Sequence, residues 1–224
     1  MPGRLVVVSG TGTAIGKTHV AEALLLAWQR VDGRVVGLKP VESGAFGADD
    51  PQSDGARLAR ASSFHVKHER VVFPEPLSPH LCARLRGVVL GPDIFASAAA
   101  AARSQAEGAV LELPGGLFSP LAPALLNADV ATALHPDALV LVAPDRLGVL
   151  HEVISAVRAA GAMSLVIHAA VLVEPEHPDA STSLNAAELR LLSPDLVVTT
   201  LPRWPARRLA LSSELDVILR MARR

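Results

Sequence analysis

Residues 10–18 read Gly10-Thr11-Gly12-Thr13-Ala14-Ile15-Gly16-Lys17-Thr18, and their types and spacing suit the holding of a polyphosphate. Glycine lets the main chain turn so that successive N–H groups face an anion, and Gly12 and Gly16 stand where such turns are needed. A helix opening near Thr18 adds the positive end of its dipole at the same point. Lys17 is long enough to reach β- and γ-phosphate oxygens, and the Thr18 hydroxyl suits a Mg²⁺ ligand. The Walker pattern G-x4-G-K-[ST] asks for glycine at position 11, where this chain has Thr11 with Gly10 and Gly12 on either side. A glycine-rich turn without a ligand is the plainer alternative. The contiguous Gly16-Lys17-Thr18, directly after an apolar run, argues against it.

Other charged residues fall at comparable places. Lys39 closes an apolar run and precedes Pro40, which stops a strand and leaves the lysine at its carboxyl end. There it is either a solvated strand cap or a cation set over a phosphoryl group in transfer. Asp54 follows Ser53 at the head of a helical segment, where either residue would serve as a cap. Glu112 comes after Gly108-Ala-Val-Leu and before Pro114-Gly115-Gly116, and a carboxylate behind so apolar a run needs a partner. Mg²⁺ is commonly held by one or two carboxylates together with phosphate oxygens. Thr18, Asp54 and Glu112 form a candidate set.

Bringing these residues together requires a scaffold that gathers strand ends. Residues 5–9, 34–39, 108–113, 137–142, 165–173 and 195–201 are apolar runs rich in Val, Ile and Leu, which read as buried strands. Helical periodicity recurs between them, at 18–31, 57–61, 92–105, 147–160, 183–192 and 213–222. The alternation predicts one α/β domain over 1–224, a doubly wound and mostly parallel sheet flanked by helices. Residues 41–52 and 64–79 read as long loops at the carboxyl edge, where ligands bind in this architecture.

Composition narrows the partners. The chain has 224 residues, is 50% hydrophobic and has a mean hydropathy of +0.36, which excludes a disordered protein. Aromatic residues are 3% with no Tyr, and the formal net charge is −1, so neither a base-stacking surface nor a basic footprint for nucleic acid is expected. Cys82, the only cysteine, reads as a small core residue, and a reducing compartment is expected. The first five residues lead straight into a strand with no signal-peptide pattern, and no apolar stretch is long and unbroken enough to span a membrane. A cytoplasmic protein without membrane contact is expected. The histidines, His65, His68 and His80 among them, have no zinc spacing, and His80 reads as a residue of a helix's first turn.

In order along nearly the whole chain, residues 10–18, Lys39-Pro-Val-Glu-Ser-Gly44, Ser53-Asp54, Glu75-Pro-Leu-Ser-Pro-His80 and Glu112 with Gly115-Gly116-Leu117 resemble dethiobiotin synthetase, the ATP-dependent ligase of biotin synthesis. The resemblance implies that 7,8-diaminopelargonate takes up CO₂ as a carbamate, that the carbamate attacks the γ-phosphate of ATP, and that the second amine closes the ureido ring. It implies catalytic roles for Lys17, Lys39 and Thr13, and substrate contacts from Thr13, Lys39, Ser43 and Gly148. Nucleotide would be held by Gly12, Thr13, Ala14, Ile15, Gly16, Lys17, Thr18 and His19, with Asp54, Glu112, Gly115, Pro202, Arg203 and Trp204. Mg²⁺ would be held by Thr18, Asp54 and Glu112. A homodimer is implied, with the substrate tail at the helix start near Gly148 of the other subunit.

The chain departs from the family pattern at three places. Leu113-Pro114 stands where the family has Gly-Ala, so one N–H is lost. Val173 is the nearest counterpart of an asparagine that reads adenine, which leaves Asn185 or main-chain groups to select the base and admits other nucleoside triphosphates. His151-Glu152 replaces Asn-His after Gly148, and Glu152 brings a charge unfavourable to a carboxylate tail. Two other readings stay open: another P-loop ATPase or ligase acting on a small carboxylate, and a partitioning or septum-positioning ATPase switch of the ParA/MinD kind. The switch proteins carry a further lysine in the loop, at the place of Gly12.

Overall fold

The computed structural model describes residues 2–223. The chain opens with β1 (Arg4–Gly10), α1 (Lys17–Gln29), β2 (Val35–Leu38), β3 (Val41–Ser43), α2 (Asp54–Arg60) and β4 (Val71–Phe73). It continues with α3 (Pro79–Arg86), α4 (Pro92–Gln105), β5 (Gly108–Glu112), β6 (Pro120–Ala122), β7 (Leu125–Leu126) and α5 (Asn127–Leu134). It closes with β8 (Ala138–Pro144), α6 (Val149–Ala162), β9 (Ala169–Val173), α7 (Asn185–Leu192), β10 (Val197–Leu201), α8 (Ala206–Leu209) and α9 (Ser213–Ala222).

Six strands form one parallel sheet in the order β10-β9-β8-β1-β5-β2, as the alternating pattern predicted. Each strand is buried on both faces, so its side chains divide between two cores by simple alternation. Leu5 and Val7 of β1 join the core under α3 to α7, while Val6 and Val8 join the core under α1, α2, α8 and α9. Two glycines permit close approach on the α1 side. A Cβ on Gly37 would stand 2.6 Å from Leu25 Cδ1, and one on Gly108 would stand 2.4 Å from the Trp28 ring. Because the strands are parallel, the ends of β1, β2, β5 and β8 share one edge of the sheet. That edge is where Gly10, Lys39 and Glu112 meet.

Several boundaries differ from the sequence expectation, each for a local reason. Residues 165–168 precede β9 rather than belong to it, and the His168 ring instead accepts a hydrogen bond from Leu139 N at 3.0 Å. Helix α6 starts at Val149 because Gly148 takes a left-handed turn, with φ 96°. The two expected loops contain β3 and β4, which pair in parallel through Val41 and Val71. Helices α5 and α8 and the β6–β7 pair were not foreseen, and of α3 only a first turn at His80 was expected. Helix α5 lacks an Ser/Thr/Asp/Asn cap before it; Asp129 in its first turn accepts from Leu126 N at 2.7 Å instead. Cys82 is fully buried, and His80 lies in the first turn of α3 with its ring 2.6 Å from the Ser78 hydroxyl.

Candidate active site

The phosphate loop rises from the central strand and turns back into α1. Thr11 N donates to Val142 O at 3.0 Å, which pins the start of the loop to β8. Ala14 and Gly16 both take positive φ, 56° and 96°, and a Cβ on Gly16 would also press on Val173 at 3.4 Å. These turns leave Lys17 and Thr18 at the head of α1, both buried. Lys17 Nζ donates to Gly12 O at 2.6 Å, so the lysine closes over the loop it belongs to. Burial, and next the charge of Lys39, push its pKa down from 10.5 to about 8.

Across from the loop, Glu112 at the end of β5 is 1% exposed. Its Oε1 accepts from Lys39 Nζ at 2.5 Å and from the Thr18 hydroxyl at 3.0 Å. Its Oε2 is buried without a hydrogen-bond partner. Asp54 Oδ2 stands 3.8 Å from the same Lys39 Nζ, so two carboxylates flank one ammonium group. Ser53 rather than Asp54 caps α2, its hydroxyl accepting from Ala56 N at 3.0 Å. Asp54 therefore faces the site with its carboxylate free of capping. Among the described residues no group of three or more His, Cys, Asp and Glu side chains could hold a metal. The candidate set is of a different kind, two carboxylates and a hydroxyl.

Loop, α2 and the β5 turn enclose a cavity of about 580 Å³. Thr13, Ala14, Ile15, Gly16, Lys17, Thr18, His19, Lys39, Ser43, Asp54, Glu112 and Gly115 all line it, so most of the expected site residues are brought together. A second cavity of about 670 Å³ adjoins it, sharing Ala14, Ile15, Gly16 and His19 as common wall. Arg203 and Trp204 line this second space, with Val173, Glu174 and Arg146. The His19 ring lies 2.7 Å from Trp204 O, and the Arg208 guanidinium stacks 3.5 Å from the Trp204 ring centre. Gly12 and Pro202 line neither cavity; their carbonyls accept from Lys17 Nζ and Trp204 N. Gly148 lines neither cavity.

The model of the AAA domain family matches residues 4–207. The ATP-dependent dethiobiotin synthetase BioD of Caulobacter sp. (strain K31) is 39% identical over 80% of both chains. The BioD of Ralstonia nicotianae is 34% identical over 96% of both. The BioD of Anaeromyxobacter dehalogenans (strain 2CP-C) is 39% identical, covering 90% of this chain and 92% of that one. This chain belongs to the ATP-dependent dethiobiotin synthetase family. Solved structures of a ParA family ATPase from Chlorobium tepidum and of the cell division ATPase MinD from Pyrococcus furiosus share the fold, with TM-scores of 0.57 and 0.55. At 14% and 20% identity over nearly the whole chain they speak for the fold alone.

Several residues that shape this dethiobiotin synthetase site escaped the sequence reading. Glu42, 5% exposed on β3, accepts from Asp54 N at 2.6 Å and Gly55 N at 3.1 Å, fixing the start of α2. Its signal was an acid in a short apolar run. Asn127 donates to the Pro114 and Gly116 carbonyls, so the turn around Pro114 is held from α5. Asn185 is buried, donates to Asp145 Oδ1 at 2.7 Å and lines neither cavity. Glu152 is no loose charge: Arg146 pairs with it at 2.8 Å, and the Thr11 hydroxyl donates to it at 2.8 Å.

Proposed function

We propose that this chain is an ATP- and Mg²⁺-dependent cyclo-ligase that converts 7,8-diaminopelargonate and CO₂ to dethiobiotin, with ATP going to ADP and phosphate. One amine of the substrate takes up CO₂ as a carbamate, and a carbamate oxygen attacks the γ-phosphorus while ADP leaves. The second amine then attacks the carbamoyl carbon, phosphate departs and the ureido ring closes. The observation that carries this reading is the meeting of Lys17 and Lys39 over one cavity that also holds a fully buried carboxylate, Glu112.

Each residue's part follows from its position. The loop N–H groups and Lys17 grip the β- and γ-phosphates, where charge moves during transfer. Lys39, on the far wall, offsets the carbamate and the phosphoryl oxygens. Thr13 and Ser43, both lining the same cavity, orient the diamine. The unpartnered Oε2 of Glu112, with the nearby Thr18 hydroxyl and Asp54, fits a hard cation that accepts oxygen ligands. Bound there, Mg²⁺ would supply charge neutralisation at the phosphate oxygens. The second cavity, beyond the common wall, suits the nucleoside, with Trp204 as a flat surface.

No helix among the described residues is long and apolar enough to cross a membrane, and the substrates are small molecules. A cytoplasmic homodimer is part of the reading. Gly148 lines neither cavity of its own subunit, which suits a role toward a partner copy. Phosphate release with diaminopelargonate, bicarbonate and Mg²⁺, each omitted in turn, tests the proposal. Release that persists undiminished without the diamine would overturn it.

A further inference from the structure

We propose that Glu152 is a positioning residue for the phosphate loop, holding the loop's leading arm in place through the Thr11 hydroxyl. This rests on reading residues 10–18 as a nucleotide loop, but not on the identity of the second substrate.

Thr11 stands where the Walker pattern has glycine, so its side chain is an addition to the loop that needs a use. Its hydroxyl donates to Glu152 Oε2 at 2.8 Å, across to α6. The other oxygen of Glu152 accepts from Arg146 at 2.8 Å, so the carboxylate is fixed from both sides. The leading arm is also held by its main chain. Thr11 N donates to Val142 O at 3.0 Å, Leu117 N donates to Gly10 O at 2.8 Å, and a Cβ on Gly116 would press on Thr11 O at 3.2 Å.

The next residue shows why a further tie matters. Gly12 O accepts from Lys17 Nζ at 2.6 Å, and this bond holds the loop only while Lys17 has no phosphate to grip. A triphosphate draws the ammonium group away and releases Gly12. The Thr11–Glu152 bond involves neither Lys17 nor the anion, so it persists and keeps the loop in the shape the phosphates need. Binding then costs less ordering of the loop.

Electrostatics alone predicts the opposite sign for the same residue. A carboxylate close to a triphosphate repels it, and deleting the carboxylate also frees Arg146 to attract it. If Glu152 acted only as a charge, Glu152→Ala would tighten ATP binding.

The test is calorimetric titration of the full-length protein with ATP and Mg²⁺, alongside melting temperatures without nucleotide. Glu152→Ala and Thr11→Val are each expected to weaken ATP about tenfold, near 1.4 kcal/mol. The double variant is expected to be no weaker than either single one, because both remove the same bond. Glu152→Gln keeps an acceptor for Thr11 and is expected to recover most of the lost affinity. Thr11→Val changes shape least and decides the matter should Glu152→Ala fold poorly. Unchanged or tighter binding in Glu152→Ala and Thr11→Val, or additive losses, overturns the proposal. Failure of the wild-type chain to bind ATP would remove the nucleotide reading itself. A protein that binds ATP normally but does not turn over the diamine leaves this inference standing and removes only the ligase reading.

Discussion

Lys39 Nζ lies 2.5 Å from Glu112 Oε1 with both side chains almost wholly buried, and the pairing makes the two lysines of the site unequal. Lys17 has no such carboxylate partner and binds a carbonyl instead. Removing Lys39 leaves the Glu112 charge buried and uncompensated, a change that typically costs about 3–5 kcal/mol. At ~2–4 °C per kcal/mol for a chain of this size, Lys39→Ala should lower the melting temperature by roughly 10 °C. Lys17→Ala removes a desolvated cation and should melt no lower than wild type. Both variants should lose phosphate release. Scanning calorimetry beside the activity assay checks this, and equal melting temperatures for the two variants would contradict the unequal pairing.

Metal dependence gives a second outcome. EDTA should stop turnover, and Glu112→Gln and Asp54→Asn should each raise the Mg²⁺ concentration for half-maximal rate. Losses of outer-sphere partners alone weaken metals by about 10–100-fold, so at least that range is expected. Titrating Mg²⁺ at saturating ATP decides it. An unchanged half-saturation point in both variants removes these carboxylates from the metal site.

The depressed pKa of Lys17 predicts a proton signature. With the group near pH 8 in the free protein, much of it is neutral at pH 8.5, and a triphosphate draws it back to the charged form. ATP binding at that pH should therefore take up a proton, and affinity should fall as pH rises further. The same shift acts on stability with a definite sign. Between about 8 and 10.5 the unfolded lysine holds more protons than the folded one, so this group's contribution rises with pH across that window. Calorimetry in buffers of different ionisation enthalpy measures the uptake. Identical heats at pH 8.5 in all buffers would show that Lys17 does not titrate there.

The elements and the gathering of the site were legible for different reasons. Strands buried on both faces leave long apolar runs, and Lys39 and Glu112 stood out because charge ends such runs. Local order also placed the phosphate loop, since its residues are contiguous. Glu42, Asn127 and Glu152 were not readable in the same way. Each acts on a main-chain group or a hydroxyl outside its own element, and these partners are set by packing. Glu152 looked like an unfavourable charge because neither Thr11, 141 positions away, nor Arg146 announces the pairing in one dimension. The buried Asn185 misled for the converse reason, since an amide in sequence does not show whether its donors are already used.

Assembly is the fourth prediction. Gly148 lines neither cavity of its own subunit, and the proposed reading has the start of α6 hold the substrate tail of a partner copy. Light scattering at working concentration should give twice the mass of one chain. A monomer that turns over substrate would refute the shared site.

The last prediction concerns the nucleobase. Val173 has no side-chain polar atom, its carbonyl already accepts from Asp145 N at 2.8 Å, and Asn185 lines neither cavity. The carboxylates of the second cavity are Glu176 and Glu174, whose Oε2 accepts from Arg203 N at 3.1 Å, with Arg146 and Arg203 as cations beside them. A carboxylate can only accept, and adenine, cytosine and guanine all present an amino group that donates. It therefore offers no means of telling these bases apart. Trp204 and its stacked Arg208 add a surface that any base can cover. The phosphates, bound by the loop, supply most of the affinity and are the same in every nucleotide. GTP and CTP should thus support turnover within about tenfold of ATP, or roughly 1.4 kcal/mol of discrimination. A site built to pair a base edge leaves its own groups unsatisfied with the wrong base and discriminates far more strongly. Parallel kcat/KM measurements with the nucleotides separate the two cases. A preference for ATP of about a thousandfold would mean that some group does read adenine.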